Sequence, residues 1–195
     1  MTENHSPSAK PFLRVMLLWL LLAGGLGAAG VTAKLRPPVP QLTIVLLTAA
    51  LIATGAAHRG LHAWLARVNL RGVVAFHVTR FVGIAFLVLY SKGELPYAFA
   101  VPGGWGDIAV ATLALALVLF LPVPEAQPRL LMLWNALGLA DILGAVFTGA
   151  RLGMTEPGSM LALLRFPMNL VPMFIVPLVI ASHLLVFWRL RQLRR

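Results

Sequence analysis

Seven polar or ionisable side chains sit inside stretches otherwise apolar enough to cross a bilayer: His77, Arg80, Asp107, Asn135, Asp141, Asn169 and His183. At membrane depth such groups are costly to bury, so they face the protein interior or a cavity and find partners there. A rise of ~1.5 Å per residue places Arg80 and Asp141 at similar depths in their spans, which predicts that they pair. Asp107 follows Pro102-Gly-Gly-Trp-Gly. That position fits a helix N-cap, or a contact to an ion or substrate. Arg80, Asp107, Asn135, Asp141 and Asn169 are therefore the candidates for substrate or ion binding, set against a purely structural role as buried pairs that fix helix register. His77 and His183 also fall at matching depths. Two imidazoles on facing helices could ligate a haem b, although an intramembrane His more often hydrogen-bonds a neighbour.

Outside the spans, His58 and His62 stand four residues apart, but no third metal ligand accompanies them, and a solvated basic face accounts for them better. The patterns for a zinc protease, a serine-hydrolase elbow and a phosphate-binding loop are absent. No catalytic residue is assigned, and an enzyme acting on lipid has only Asp107, Asp141 and the histidines as possible acids or bases.

The elements that must position these groups are membrane helices. The chain is 59% hydrophobic and 11% charged, with a mean hydropathy of +0.88. A soluble domain carries roughly a quarter charged residues, so an all-α polytopic bundle is expected. With no cysteine, disulfides and thiolate chemistry are excluded. Six spans are predicted, near residues 11–33, 41–57, 70–90, 104–121, 129–149 and 165–188, forming one transmembrane domain over 11–190. A polar tail (1–10) and a basic tail (191–195) flank it. The first span is read as retained, although Val31-Thr32-Ala33 resembles a signal cleavage site. Between the second and third spans, Leu61, Trp64, Leu65 and Val68 fall on one helical face, opposite Arg59, His62 and Arg67. A short amphipathic helix at the membrane surface is predicted near 58–70.

The net charge is +10. The basic residues flank apolar runs, which points to membrane topology and anionic lipid and not to nucleic acid. With the N-terminus inside, ten Lys and Arg fall on inner segments and five on outer ones, with Arg80 intramembrane. Both termini are thus expected in the cytoplasm, with Trp134 and Trp188 in the inner aromatic belt and Trp105 in the outer one.

Residues 93–106 hold Pro96, Pro102, Gly93, Gly103, Gly104 and Gly106 among Tyr97, Phe99 and Trp105. This composition predicts an ordered, non-helical cap over the outer mouth of the bundle. In the sixth span, Pro172 and Pro177 remove backbone donors, which predicts a broken helix with the carbonyls of Met168 and Met173 set free. The fifth span carries a small and polar stripe, Gly138, Asp141, Ala145 and Thr148, suited to close helix contact.

The segments RFVGIAFLVLY, GELPYAFAVPGGWGD, WNALGLADILGAV and VPLVIASH resemble a family of uncharacterised bacterial six-helix integral membrane proteins over roughly residues 70–190. Arg80, Gly93, Pro96, Pro102, Gly106, Asp107, Asn135, Asp141, Pro177 and His183 match its pattern. The resemblance implies a multi-pass protein of the bacterial inner membrane and supplies no activity. From the residues themselves, the readings are a small-solute or proton-coupled carrier, a non-catalytic accessory subunit with a membrane partner or a second copy, and a haem b electron carrier through His77 and His183.

Overall fold

A computed structural model describes residues 10–121 and 123–193. The first nine residues, most of the polar tail, and the last two of the basic tail lie outside the described residues. Among the described residues every regular element is helical, and six helices are long and apolar enough to cross a membrane. The all-α bundle expected from composition is the observed fold.

Helix α1 (Lys10–Ala28) ends in a left-handed Gly30, with the N–H of Val31 reaching the Leu26 carbonyl and that of Gly30 the Gly27 carbonyl. This cap satisfies the last carbonyls of the helix and turns the chain sharply. Helix α2 (Val39–Ala57) leads to α3 (Arg59–Leu65), the short amphipathic helix. His58 caps α3, its Nδ1 accepting from the Leu61 N–H at 3.1 Å. At the other end of α3, the Arg189 guanidinium donates to the carbonyls of Leu65 and Val68. One of the two histidines considered as a metal pair is therefore a helix cap, and the other, His62, meets Trp188 edge to face.

The third span is not one helix. Helix α4 (Leu70–Phe76) gives way to a 3₁₀ turn over His77–Val82, and α5 (Gly83–Ser91) resumes beyond it. In a 3₁₀ turn residues i and i+3 eclipse, so His77 and Arg80 are stacked on one face. Neither proline nor glycine lies between them, so no local residue marks the departure from α-helix there.

The 93–106 stretch departs from expectation in the opposite sense. The reversal after α5 is confined to residues 92–96. Gly93, at φ +73°, closes it with the N–H of Glu94 on the Leu89 carbonyl and its own N–H on the Tyr90 carbonyl. Helix α6 then runs unbroken from Tyr97 to Phe120, through Pro102 and three glycines. There is no non-helical cap, and Asp107 lies in the helix interior, where it cannot be an N-cap. The glycines serve close packing instead. A Cβ on Gly83 would collide with the Gly104 carbonyl, and one on Gly104 would come within 2.9 Å of the Gly83 carbonyl. The bare backbones touch at that crossing, as small residues allow between membrane helices.

Helix α7 (Pro128–Thr155) is followed by a 3₁₀ turn at Leu161–Leu164 and a cis Phe166–Pro167 bond. The sixth span begins with a π-helical turn over Val171–Ile175 and continues as α8 (Val176–Gln192). Its prolines distort it without breaking it: the π-helical turn passes directly into α8, and the Met168 carbonyl, expected free, accepts from the Val171 N–H at 3.0 Å. The Met173 carbonyl, deprived of its partner by Pro177, accepts from the Trp19 indole N–H at 3.0 Å.

Two apolar clusters fill the interior. One, around Phe86, Phe99, Ile142 and Val179, lies toward the end with residues 91–96. The other, around Val74, Val110, Trp134 and Val186, lies toward the α3 end. On each of four spans the polar residues fall between members of the two clusters: His77 and Arg80, Asp107, Asn135 with Gly138 and Asp141, and Ser182 with His183. The bundle thus carries a polar layer between two apolar ones. Trp134 belongs to the interior and not to an interfacial belt. It is 3% exposed and donates its indole N–H to the Val110 carbonyl. Trp105, by contrast, is exposed.

Candidate functional site

Arg80 is the centre of the polar layer. It is 1% exposed, and each of its three guanidinium nitrogens is used. Nε donates to Asp107 Oδ1 at 2.6 Å, Nη1 to the Gly138 carbonyl at 2.9 Å, and Nη2 to Asp141 Oδ2. The pairing of Arg80 with Asp141 is present, and Asp107 joins it as a second carboxylate. Local backbone makes this possible. The Gly83–Gly104 contact draws α6 against the end of the 3₁₀ turn, close enough for a short bond to Asp107. Gly106 leaves a notch that the Asp141 carboxylate fills, so that a Cβ there would overlap it.

The histidines form the next level. Their ring centroids are 4.3 Å apart, and each ring is fully buried. Asn135 donates its Nδ2 to the His183 backbone carbonyl at 3.0 Å, which turns its Oδ1 toward His183 Nδ1 at 2.8 Å. An amide oxygen only accepts, so Nδ1 carries the hydrogen and Nε2 of the neutral ring is the bare nitrogen. Ser182 gives its hydroxyl hydrogen to the Val179 carbonyl, so it accepts from His77 Nε2 at 3.0 Å. His77 Nδ1 is then bare. Both bare nitrogens, His77 Nδ1 and His183 Nε2, are buried without a hydrogen-bond partner. Trp134 packs against both rings. The matching depth read from the sequence is therefore real, but the contact does not suit haem. Axial imidazoles stand on opposite faces of a macrocycle, and rings already touching leave no room for one between them.

A cavity of about 570 Å³ leads to this layer from the end of the molecule that carries Lys34, Arg36 and Pro157. Arg80 and Asp107 line it, and its remaining walls are largely apolar, with Phe99, Ile142 and Val176 among them. Gln41, which the sequence reading overlooked, lines the same cavity with its Oε1 buried and unpartnered. The available signal was a lone amide at the start of an apolar span. A second cavity, of about 840 Å³, opens toward the α3 end between α1, α2, α4 and α8. Ser182 lines it, one hydrogen bond from His77.

Asn169 does not join the site. Its Nδ2 donates to the Ala23 carbonyl of α1 at 2.8 Å, and its side chain occupies the space left by Gly27. It is a clamp for the first helix. Among the described residues no cluster of three or more His, Cys, Asp or Glu side chains is placed to hold a metal ion.

Comparison with known proteins places the chain. It belongs to the DUF8737 family, a domain of unknown function matched over residues 37–191. No curated protein and no solved structure matches it. The DUF8737 region takes in the whole polar layer and both ends of the amphipathic helix, and it begins just before α2, leaving α1 outside. No activity comes with the family, so a functional reading must rest on the layer and its two cavities.

Proposed function

We infer that the protein is a carrier for a small solute, working by alternating access across the polar layer. The observation that supports this is the pair of cavities on opposite sides of one buried charged layer. One ends at Arg80 and Asp107, the other at Ser182 behind the histidines. Departures from regular α-helix at membrane depth are tolerated where they line a cavity or are buried in protein. Here the 3₁₀ turn at His77–Val82 and the π-helical turn at Val171–Ile175 both supply cavity walls. The first cavity favours a solute with an apolar body and a polar end. Arg80, Asp107 and the free Gln41 oxygen would receive that end, and Asn135 would act indirectly by orienting His183.

The ten-to-five bias of Lys and Arg supports termini on the cytoplasmic side of a bacterial inner membrane, with anionic lipid against the arginines of the α3 end. The first cavity then faces outward. Membrane-impermeant thiol reagents test the reading, because the chain has no cysteine of its own. Val146→Cys should label from the Lys34 side and Leu178→Cys from the α3 side. If neither labels, the spaces are sealed or lipid-filled and the carrier reading fails. The polar layer would then be glue between the helices of an accessory subunit, alone, as a homo-oligomer or with a partner.

A further inference from the structure

The charged groups of the polar layer do not balance. Asp107 and Asp141 are two carboxylates facing one guanidinium, Arg80. The other titratable groups facing them are His77 beside Arg80 on the third span and His183 on α8. Lys34 and Arg36 lie across the first cavity, at its mouth. With both carboxylates ionised and both imidazoles neutral, the layer carries one unmatched negative charge at membrane depth. An unmatched buried charge is the costliest state such a site has, and one added proton removes it.

We propose that the Asp107–Arg80–Asp141 group binds one exchangeable proton, taken up from the first cavity onto Asp107, and that this proton is the coupling ion. The proposal rests on the carrier reading only for the word coupling. Asp141 is the more exposed of the two carboxylates but is not a wall of this cavity, whereas Asp107 is, so Asp107 is the one a proton from that side meets first. A metal cation is a poorer fit. The guanidinium already bonds one oxygen of each carboxylate and the Gly138 carbonyl, so a cation would have to displace it. A proton needs no such room, because Asp107 Oδ2 and Asp141 Oδ1 take no part in those bonds. Independent of the charge count, the bare His77 Nδ1 and His183 Nε2 mark the layer as a place with proton acceptors to spare. They stand between the carboxylates and Ser182, which borders the second cavity, and so offer the proton an exit toward that side.

The test is proton binding by the full-length protein in detergent, by potentiometric titration and infrared difference spectroscopy as pH falls from about 9 to about 5. The native protein should gain a protonated-carboxyl band that Asp107→Asn abolishes, and should bind one more proton per chain than either Asp107→Asn or Asp141→Asn. Each variant leaves one carboxylate against Arg80, a balanced pair, so neither needs the proton. Size-exclusion profiles and circular dichroism confirm that the variants are folded. Absence of the band in native protein, its persistence in Asp107→Asn, or a proton count unchanged in both variants would overturn the proposal. So would loss of the band on adding sodium chloride at fixed pH, which would make the site one for sodium. The thiol-labelling and proton-binding experiments fail separately. Closed cavities with the expected proton count remove the carrier and keep the proton site, and open cavities with an unchanged count do the reverse.

Discussion

The third and fourth spans invert the usual expectation about helix breakers. The fourth holds Pro102 and three glycines within five residues and is a continuous helix; the third holds none of these between His77 and Val82 and is the one that breaks. The difference lies in what each stretch must touch. Pro102 is only the sixth residue of α6, so it removes a single backbone bond near the helix start, and the glycines that follow are held by helices pressed against them. In the third span, a 3₁₀ turn aligns His77 with Arg80 so that both reach the interior. Propensity yields to packing in the first case and to buried polar contacts in the second.

This comparison can be broken at its strongest point by removing Arg80. Arg80→Met should leave a buried Asp107 carboxylate beside the half-buried Asp141 with no cation between them and cost roughly 3–5 kcal/mol, seen as a large drop in thermal midpoint in detergent. Adding Asp107→Asn should recover part of the loss. Purely additive losses would mean that the third span does not break for the sake of this charge contact. The helix crossing comes next. Gly83→Ala drives a methyl into the Gly104 carbonyl, a backbone atom that cannot swing aside, and should destabilise by about 1–3 kcal/mol. It should also weaken the Arg80–Asp107 bond, because that contact depends on the close approach. Asn169→Ala removes one hydrogen bond to α1 and should cost about 0.5–1.5 kcal/mol, with faster amide exchange confined to the first helix. The smallest effect sharpens the contrast. Pro102→Ala should leave the extent of α6 unchanged and shift stability by less than about 1 kcal/mol, since the helix already passes through that position. A loss larger than that of Gly83→Ala would show that the proline itself shapes the span.

The sequence carried the large features because hydrophobicity and length decide them. Six spans, the amphipathic helix, the irregular start of the sixth span and the Arg80–Asp141 pair follow from apolar runs, periodicity, proline positions and rise per residue. The matched depth of His77 and His183 was legible for the same reason. What stayed hidden depends on which helices are neighbours. Asp107 looked like a cap because the glycines before it looked like a turn, and only the Gly83–Gly104 contact reveals them as a packing surface. Asn169 resembled its polar companions until α1 was seen lying against it. Trp134 resembled an interfacial anchor until the histidines were found at its face. The 3₁₀ turn is set by contacts from other spans and leaves no local mark.

The anchoring of α1 ties distant parts of the sequence together. Its side-chain hydrogen bonds are Trp19 to the Met173 carbonyl and Asn169 to the Ala23 carbonyl, and just beyond it Thr32 donates to the Leu164 carbonyl. All three end in the irregular stretch between α7 and α8, more than 130 residues further along the chain. Apart from the ring contact of Phe12 with Trp64 of α3, the first helix therefore has its side-chain anchors far along the sequence. Its polar lock forms when the Met173 carbonyl, left unbonded by Pro177, receives the Trp19 indole.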